Sequence, residues 1–204
     1  MTFRIALASG LISAALIAAP ALAQSTDAAA APAAPAAAAQ PGPTVAATFR
    51  DWQVICAPAT ANQPEQCEMY QLLRDMTNAP IAEISIAALP LGAEFAAGAT
   101  VTTPLETFLP TGLGFWIGDM PADNQIRVEG FRVCTVVGCV VRMGLSADEI
   151  DQMKSGSSAT VMIAPFVAID QPVEIPISLA GFTAAYDDLQ TRLSNAAAAA
   201  RSNP

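Results

Sequence analysis

The sequence predicts an all-β domain, a sandwich or barrel, interrupted by one short helix near 146–155 and followed by a short C-terminal helix. Three observations carry this. Short runs rich in Val, Ile, Phe and Thr recur at spacings of roughly 8–12 residues. Turn signals separate them, among them Asn62-Gln63-Pro64, Thr77-Asn78-Ala79-Pro80, Leu91-Gly92, Asp123-Asn124 and Asp170-Gln171-Pro172. The stretch 130–145, GFRVCTVVGCVVRMGL, then folds back on itself around Val136-Val137-Gly138, with Cys134 and Cys139 on either side of the turn.

From the N-terminus, residues 1–23 have the three-part form of a secretory leader. Arg4 supplies the charge, 5–19 is an apolar run, and Ala21-Leu22-Ala23 offers a small-residue cleavage site. The apolar run falls short of the ~20 residues a membrane span needs, so the mature chain is expected to begin at Gln24 with no transmembrane segment. Residues 24–47 are mostly Ala, Pro, Gln, Ser and Thr with one charge, Asp27, and prolines at 32, 35, 41 and 43, the composition of a semi-extended spacer. A globular mixture follows over 48–189, long enough for one domain with its own core. An alanine-rich tail closes the chain at 190–204, its helical part starting near Asp187.

Strands are expected at 49–56, 67–76, 80–88, 100–103, 113–117, 125–128, the 131–143 hairpin, 160–167 and 173–179. The helix is announced by Ser146-Ala147-Asp148-Glu149, which has the form of a capping box. Ile150 and Met153 share one apolar stripe, and Gly156 stands at the C-terminal cap. Asp148, Glu149 and Asp151 sit where acids complement a helix dipole, so they are not read as a metal cluster.

Composition narrows the chemistry. The chain has no histidine, which removes the commonest general base and metal ligand together with every Ser-His or Cys-His pair. Its net charge of −9, falling to −10 once Arg4 is lost, leaves no footprint for nucleic acid or anionic lipid. Gly112-Leu113-Gly114 lacks the third glycine and the helix of a phosphate loop and reads as a turn. Asp119, Asp123 and Asn124 offer oxygens but not the spacing of a complete calcium loop. No catalytic residue, metal ligand or cofactor is assigned.

Four cysteines in an exported chain are better used as disulfides than as zinc ligands, and they allow three connectivities. Local pairing, Cys56–Cys67 and Cys134–Cys139, is favoured because residues facing across a hairpin lie within disulfide reach. Closing loops this short contributes roughly 2–3 kcal/mol each in the chain-entropy account. Trp52 shares a strand face with Val54 and Cys56 and is expected to pack beside the first bridge.

The order of motifs resembles the invasion-associated locus B family of secreted bacterial proteins. It begins with Asp51-Trp52-Gln53-Val54-Ile55-Cys56, Gln66-Cys67 and Gln71. It continues through Pro104-Leu105, Leu109-Pro110-Thr111-Gly112-Leu113-Gly114, Phe131-Arg132-Val133-Cys134 and Gly138-Cys139-Val140, ending on Ile177-Ser178-Leu179-Ala180-Gly181-Phe182. The resemblance covers nearly all of 48–186. It implies a periplasmic or surface-exposed, immunoglobulin-like β-sandwich, associated in some pathogens with host-cell entry, and brings no catalytic residues. The chain is thus read as a non-enzymatic binding protein of the envelope whose partner is a protein or a cell-envelope component. The competing reading is a hydrolase using paired carboxylates or bound calcium, which requires two such acids close together.

One stretch is a candidate contact surface. Leu113, Phe115 and Trp116 follow the Pro110/Gly112 turn, where a sheet edge or loop mouth could recruit a partner strand. The competing assignment for all three is the core.

Overall fold

The computed structural model describes residues 42–202 apart from 61, 62, 76, 123 and 124. The leader expected at 1–23, most of the spacer and the Asp123-Asn124 turn lie outside the described residues. Among the described residues, eleven strands form two antiparallel sheets. The larger orders β1 (Thr44–Phe49), β2 (Trp52–Ala57), β3 (Gln66–Arg74), β4 (Pro80–Ala88), β5 (Ala97–Thr103), β9 (Gly138–Leu145) and β8 (Phe131–Thr135) side by side. The smaller orders β11 (Val173–Ser178), β10 (Ser158–Ile163), β6 (Leu113–Ile117) and β7 (Arg127–Glu129).

Alternation decides which face is inward. Trp52, Val54 and Cys56 on β2, Met69 and Leu73 on β3, and Ile84 and Ile86 on β4 are all buried, while their neighbours are more exposed. They meet Val161 and Ile163 of β10, Ile175 and Ile177 of β11, and Leu113 and Phe115 of β6 in one apolar cluster. The all-β sandwich expected from strand spacing is what the chain adopts.

Several strand limits differ from expectation for identifiable reasons. The run 49–56 is not one strand. It reverses at Arg50-Asp51, with Arg50 at φ 54°, so that Phe49 pairs with Trp52 and Thr44 with Cys56. Neither Gly, Pro nor Asn marks that turn, and the folded body therefore starts at Thr44, inside the stretch whose composition reads as spacer. The strand expected to reach residue 167 stops at Ile163, because Pro165 cannot donate to a ladder.

Helix α1 (Ala147–Ser155) begins as its sequence announces. Ser146 Oγ accepts from the Glu149 N–H at 3.2 Å and Glu149 Oε2 accepts from the Ser146 N–H at 2.8 Å. Helix α2 (Phe182–Ser202) is the larger departure: it starts before Asp187 and runs through the alanines. Phe182, Ala185, Tyr186 and Leu189 form a buried stripe at helical spacing. Phe182 meets Trp52 edge-on at 5.6 Å and stacks with Tyr186 at 5.9 Å, so α2 covers inward-facing surface that the four-stranded sheet leaves open. No helix among the described residues is long and apolar enough to cross a membrane.

The turn between β11 and α2 locks against the β1–β2 turn. Asp51 N–H donates to the Ala180 carbonyl at 3.4 Å, and Gly181, at φ 89°, brings its Cα against the Phe49 carbonyl oxygen. A Cβ there would overlap backbone that has nowhere to go. Gly181→Ala is accordingly expected to cost about 2 kcal/mol or more, read as a lowered denaturant midpoint with unchanged slope. An unchanged midpoint would show that the two turns are not in contact.

Candidate interaction site

The two sheets meet along β3 and β11 in a polar junction. Gln71 is buried. Its Nε2 donates to the Ser178 carbonyl at 3.0 Å while its Oε1 accepts from the Ser178 N–H at 2.9 Å. Trp52 Nε1 donates to the same carbonyl at 2.8 Å, and Ser178 Oγ donates to Asp51 Oδ2 at 2.6 Å. A cleft of about 780 Å³ opens beside this junction, bordered by Arg50, Gln53, Tyr70, Arg74 and Ser157.

Most polar groups here already have work within the fold. Arg74 donates to the Asn78 carbonyl at 3.0 Å and Tyr70 Oη to Glu83 Oε2 at 3.0 Å. Burial, then the hydrogen bond and charge of Glu83, push the Tyr70 hydroxyl up to about 12, so it remains a protonated donor near neutral pH. Asp75 is held below the usual carboxylate range by the Thr77 hydroxyl and the Ala79 and Thr77 N–H groups, which it gathers into a surface turn.

Glu129 and Glu149 approach one another only through Arg127. The guanidinium reaches Glu129 Oε1 at 2.7 Å and Glu149 Oε1 at 2.8 Å, and also donates to the Gly144 carbonyl at 3.0 Å. Burial acts to lower the arginine's pKa, and the two carboxylates more than offset it, holding it above its ordinary value. This is a structural ion triad joining β7, β9 and the start of α1. Among the described residues, one group has the ligand spacing for a metal, Cys56 with Glu65 and Cys67, and both its sulfurs are taken up in a disulfide. Of the calcium-loop residues considered, Asp123 and Asn124 lie outside the described residues.

Both disulfides join residues directly opposite each other, Cys56 with Cys67 across β2–β3 and Cys134 with Cys139 across β8–β9. Trp52 lies on the buried face of β2 that also carries Cys56. The candidate contact residues Leu113, Phe115 and Trp116 are placed differently from a partner edge. Strand β6 lies between β10 and β7, and all three side chains are buried, Trp116 being 6% exposed. Leu113 and Phe115 point into the inter-sheet cluster, and Trp116 lies on the opposite face of β6, outside it. An inner strand has its ladder filled on both sides, so this stretch offers neither a free edge nor an open patch.

Exposed apolar surface lies instead on three loops at one end of the sandwich: β5–β6, β8–β9 and β10–β11. Leu105 and Leu109 stand on the first, Val136 and Val137 on the second, and Phe166, Val167 and Ile169 on the third. They make up half of the exposed large apolar side chains among the described residues. Val136 is 95% exposed, Val137 78%, Phe166 68% and Val167 88%, and what sets them apart from a single surface leucine is that they stand together at one end.

These loops are tied together. Phe108 N–H donates to the Ala164 carbonyl at 2.8 Å, Phe166 N–H to the Glu106 carbonyl at 2.7 Å, and the Phe108 and Phe166 rings lie 6.4 Å apart. Thr107 Oγ1 donates to Thr103 Oγ1 at 3.1 Å, and Thr103 Oγ1 donates to the Cys139 carbonyl at 3.3 Å, both threonines being buried. Gly138, at φ 149°, sits so close to the Thr103 carbonyl that no Cβ would fit. One sequence signal pointed here: two β-branched residues at a hairpin tip, where Asn, Asp or Gly is usual.

The chain is thus a β-sandwich stapled within its hairpins, with exposed apolar loops at one end. The chain belongs to the family described as Invasion associated locus B (IalB) protein, whose model matches residues 52–190. Among solved structures, invasion associated protein b from Bartonella henselae shares the fold with a TM-score of 0.60 at 17% sequence identity, over 72% of this chain and 97% of that one. No curated protein matches the sequence.

Burial separates the two sets of apolar residues by experiment. Leu113→Ala should lower stability by about 2–5 kcal/mol, and Trp116→Ala by about 3–5 kcal/mol. Val137→Ser should stay within about 0.5 kcal/mol of the parent. Thermal or denaturant melts of the three variants check this. A stable Leu113→Ala would contradict the placement of β6.

Proposed function

We propose that this chain is a non-enzymatic binding protein of the bacterial envelope, acting outside the cytoplasm through its apolar loop end. The observation that carries the proposal is the gathering of Val136, Val137, Phe166 and Val167 at tips fixed to a rigid, twice-stapled sandwich. Exposed apolar residues are costly to solubility and are retained where they meet a partner. Disulfides persist in oxidising compartments, which supports an extracytoplasmic site, as does the leader expected at 1–23. Family membership supports the envelope reading. The name of the Bartonella henselae protein points to invasion; for this chain the proposal is the broader binding role.

Fractionation tests this directly. Protein recovered from expressing cells should be found with the periplasm and envelope, with an intact mass corresponding to a chain that starts at Gln24. It should also be retained when incubated with isolated envelopes. A cytosolic location, or no retention on envelopes, would overturn the proposal.

A further inference from the structure

We propose that the apolar loop end is a lipid-insertion surface, whose tips at Val136-Val137 and Phe166-Val167 enter the apolar region of a neutral bilayer. This rests on the envelope-binding reading and names the partner of that same surface.

Shape is the first reason. The four side chains stand exposed on two turns at the same end of the sandwich, and exposed turn residues of this kind suit a fluid phase that closes around them. Composition is the second. The exposed surface of these loops is carried by seven large apolar side chains, the kind of residue that interfacial anchoring buries.

Backbone polarity is the third reason. A turn enters an apolar phase at lower cost the more of its amide groups find partners within the protein. Two of the four tip residues have one: Phe166 N–H donates to the Glu106 carbonyl at 2.7 Å and Val137 N–H to Thr135 Oγ1 at 3.3 Å, and beside them Ala168 N–H donates to the Pro165 carbonyl at 3.1 Å. The ties through Thr107, Thr103 and the Cys134–Cys139 bridge mean that the tips are already held together before they meet lipid.

Charge selects the kind of lipid. Residues 104–112, 135–138 and 164–171 contain two charged side chains, Glu106 and Asp170, and no Lys or Arg. With a net charge of −9, the chain is repelled by anionic headgroups. Insertion is therefore driven by apolar burial into zwitterionic lipid, and salt has little to screen.

The test is flotation of the protein recovered from expressing cells with vesicles of phosphatidylcholine alone. Leu91, fully exposed in the β4–β5 connection at the opposite end of the sandwich, supplies the control. The parent and Leu91→Ser should float alike, and their partitioning should be unchanged between low salt and about 0.5 M salt. The double variants Val136→Ser/Val137→Ser and Phe166→Ser/Val167→Ser should each partition at least about tenfold less, with melting temperatures kept. Equal flotation of all four proteins, or none by the parent, would overturn lipid insertion. If the parent ignores vesicles yet binds isolated envelopes, the envelope-binding role stands and the loop end is a protein-docking surface instead. Failure on both would overturn the binding role as well.

Discussion

The fold depends on one side chain acting as backbone. Gln71 presents a carboxamide to Ser178 in the way a neighbouring strand would, accepting from its N–H and donating to its carbonyl. Strand β11 is an edge of the smaller sheet, and unpaired backbone groups on a partly buried edge cost free energy or invite another chain. Gln71 answers both needs while fixing where β11 sits over β3. Trp52 adds a second donor to the same carbonyl and carries the ring against which Phe182 packs. From this point the chain turns at Ala180-Gly181 and enters α2, whose stripe completes the interior. Sheet docking, helix placement and the β1–β2 turn therefore share one set of hydrogen bonds.

The opposite requirement governs the loop end. There the sequence places apolar residues where water should be and uses buried polar contacts to hold them. The Thr107–Thr103–Cys139 chain lies beneath the tips, and the Cys134–Cys139 bridge sits at the base of the hairpin. Loops fixed this way would lose little conformational entropy on meeting the partner proposed for them.

Much of this was legible in the sequence. The hairpin, both disulfides, the capping box of α1 and the family could all be read from motifs whose physics is local. What could not be read was set by long-range packing. The alanines of α2 look like a frayed tail because alanine has no side chain to signal burial, yet their helix is anchored by the Phe182–Leu189 stripe. Leu113, Phe115 and Trp116 look like an edge because Pro110 and Gly112 precede them; strand order, which no local pattern encodes, puts β6 inside. Phe166-Val167 reads as the end of a strand, and its exposure follows from the Thr107–Pro165 bridge between two loops.

The dependence of the sandwich on Gln71 is tested most directly by native-state hydrogen exchange at the Ser178 amide. If the Gln71 carboxamide bonds that amide as described, it should exchange only through global unfolding, in the slowest class with the core strands. Gln71→Leu, which keeps the bulk but strands the Ser178 N–H and leaves its carbonyl to Trp52 alone, should lower global stability by about 1–3 kcal/mol and move the Ser178 amide into the fast class. Rapid exchange at Ser178 in the parent protein, or a Gln71→Leu variant with unchanged protection, would contradict the account.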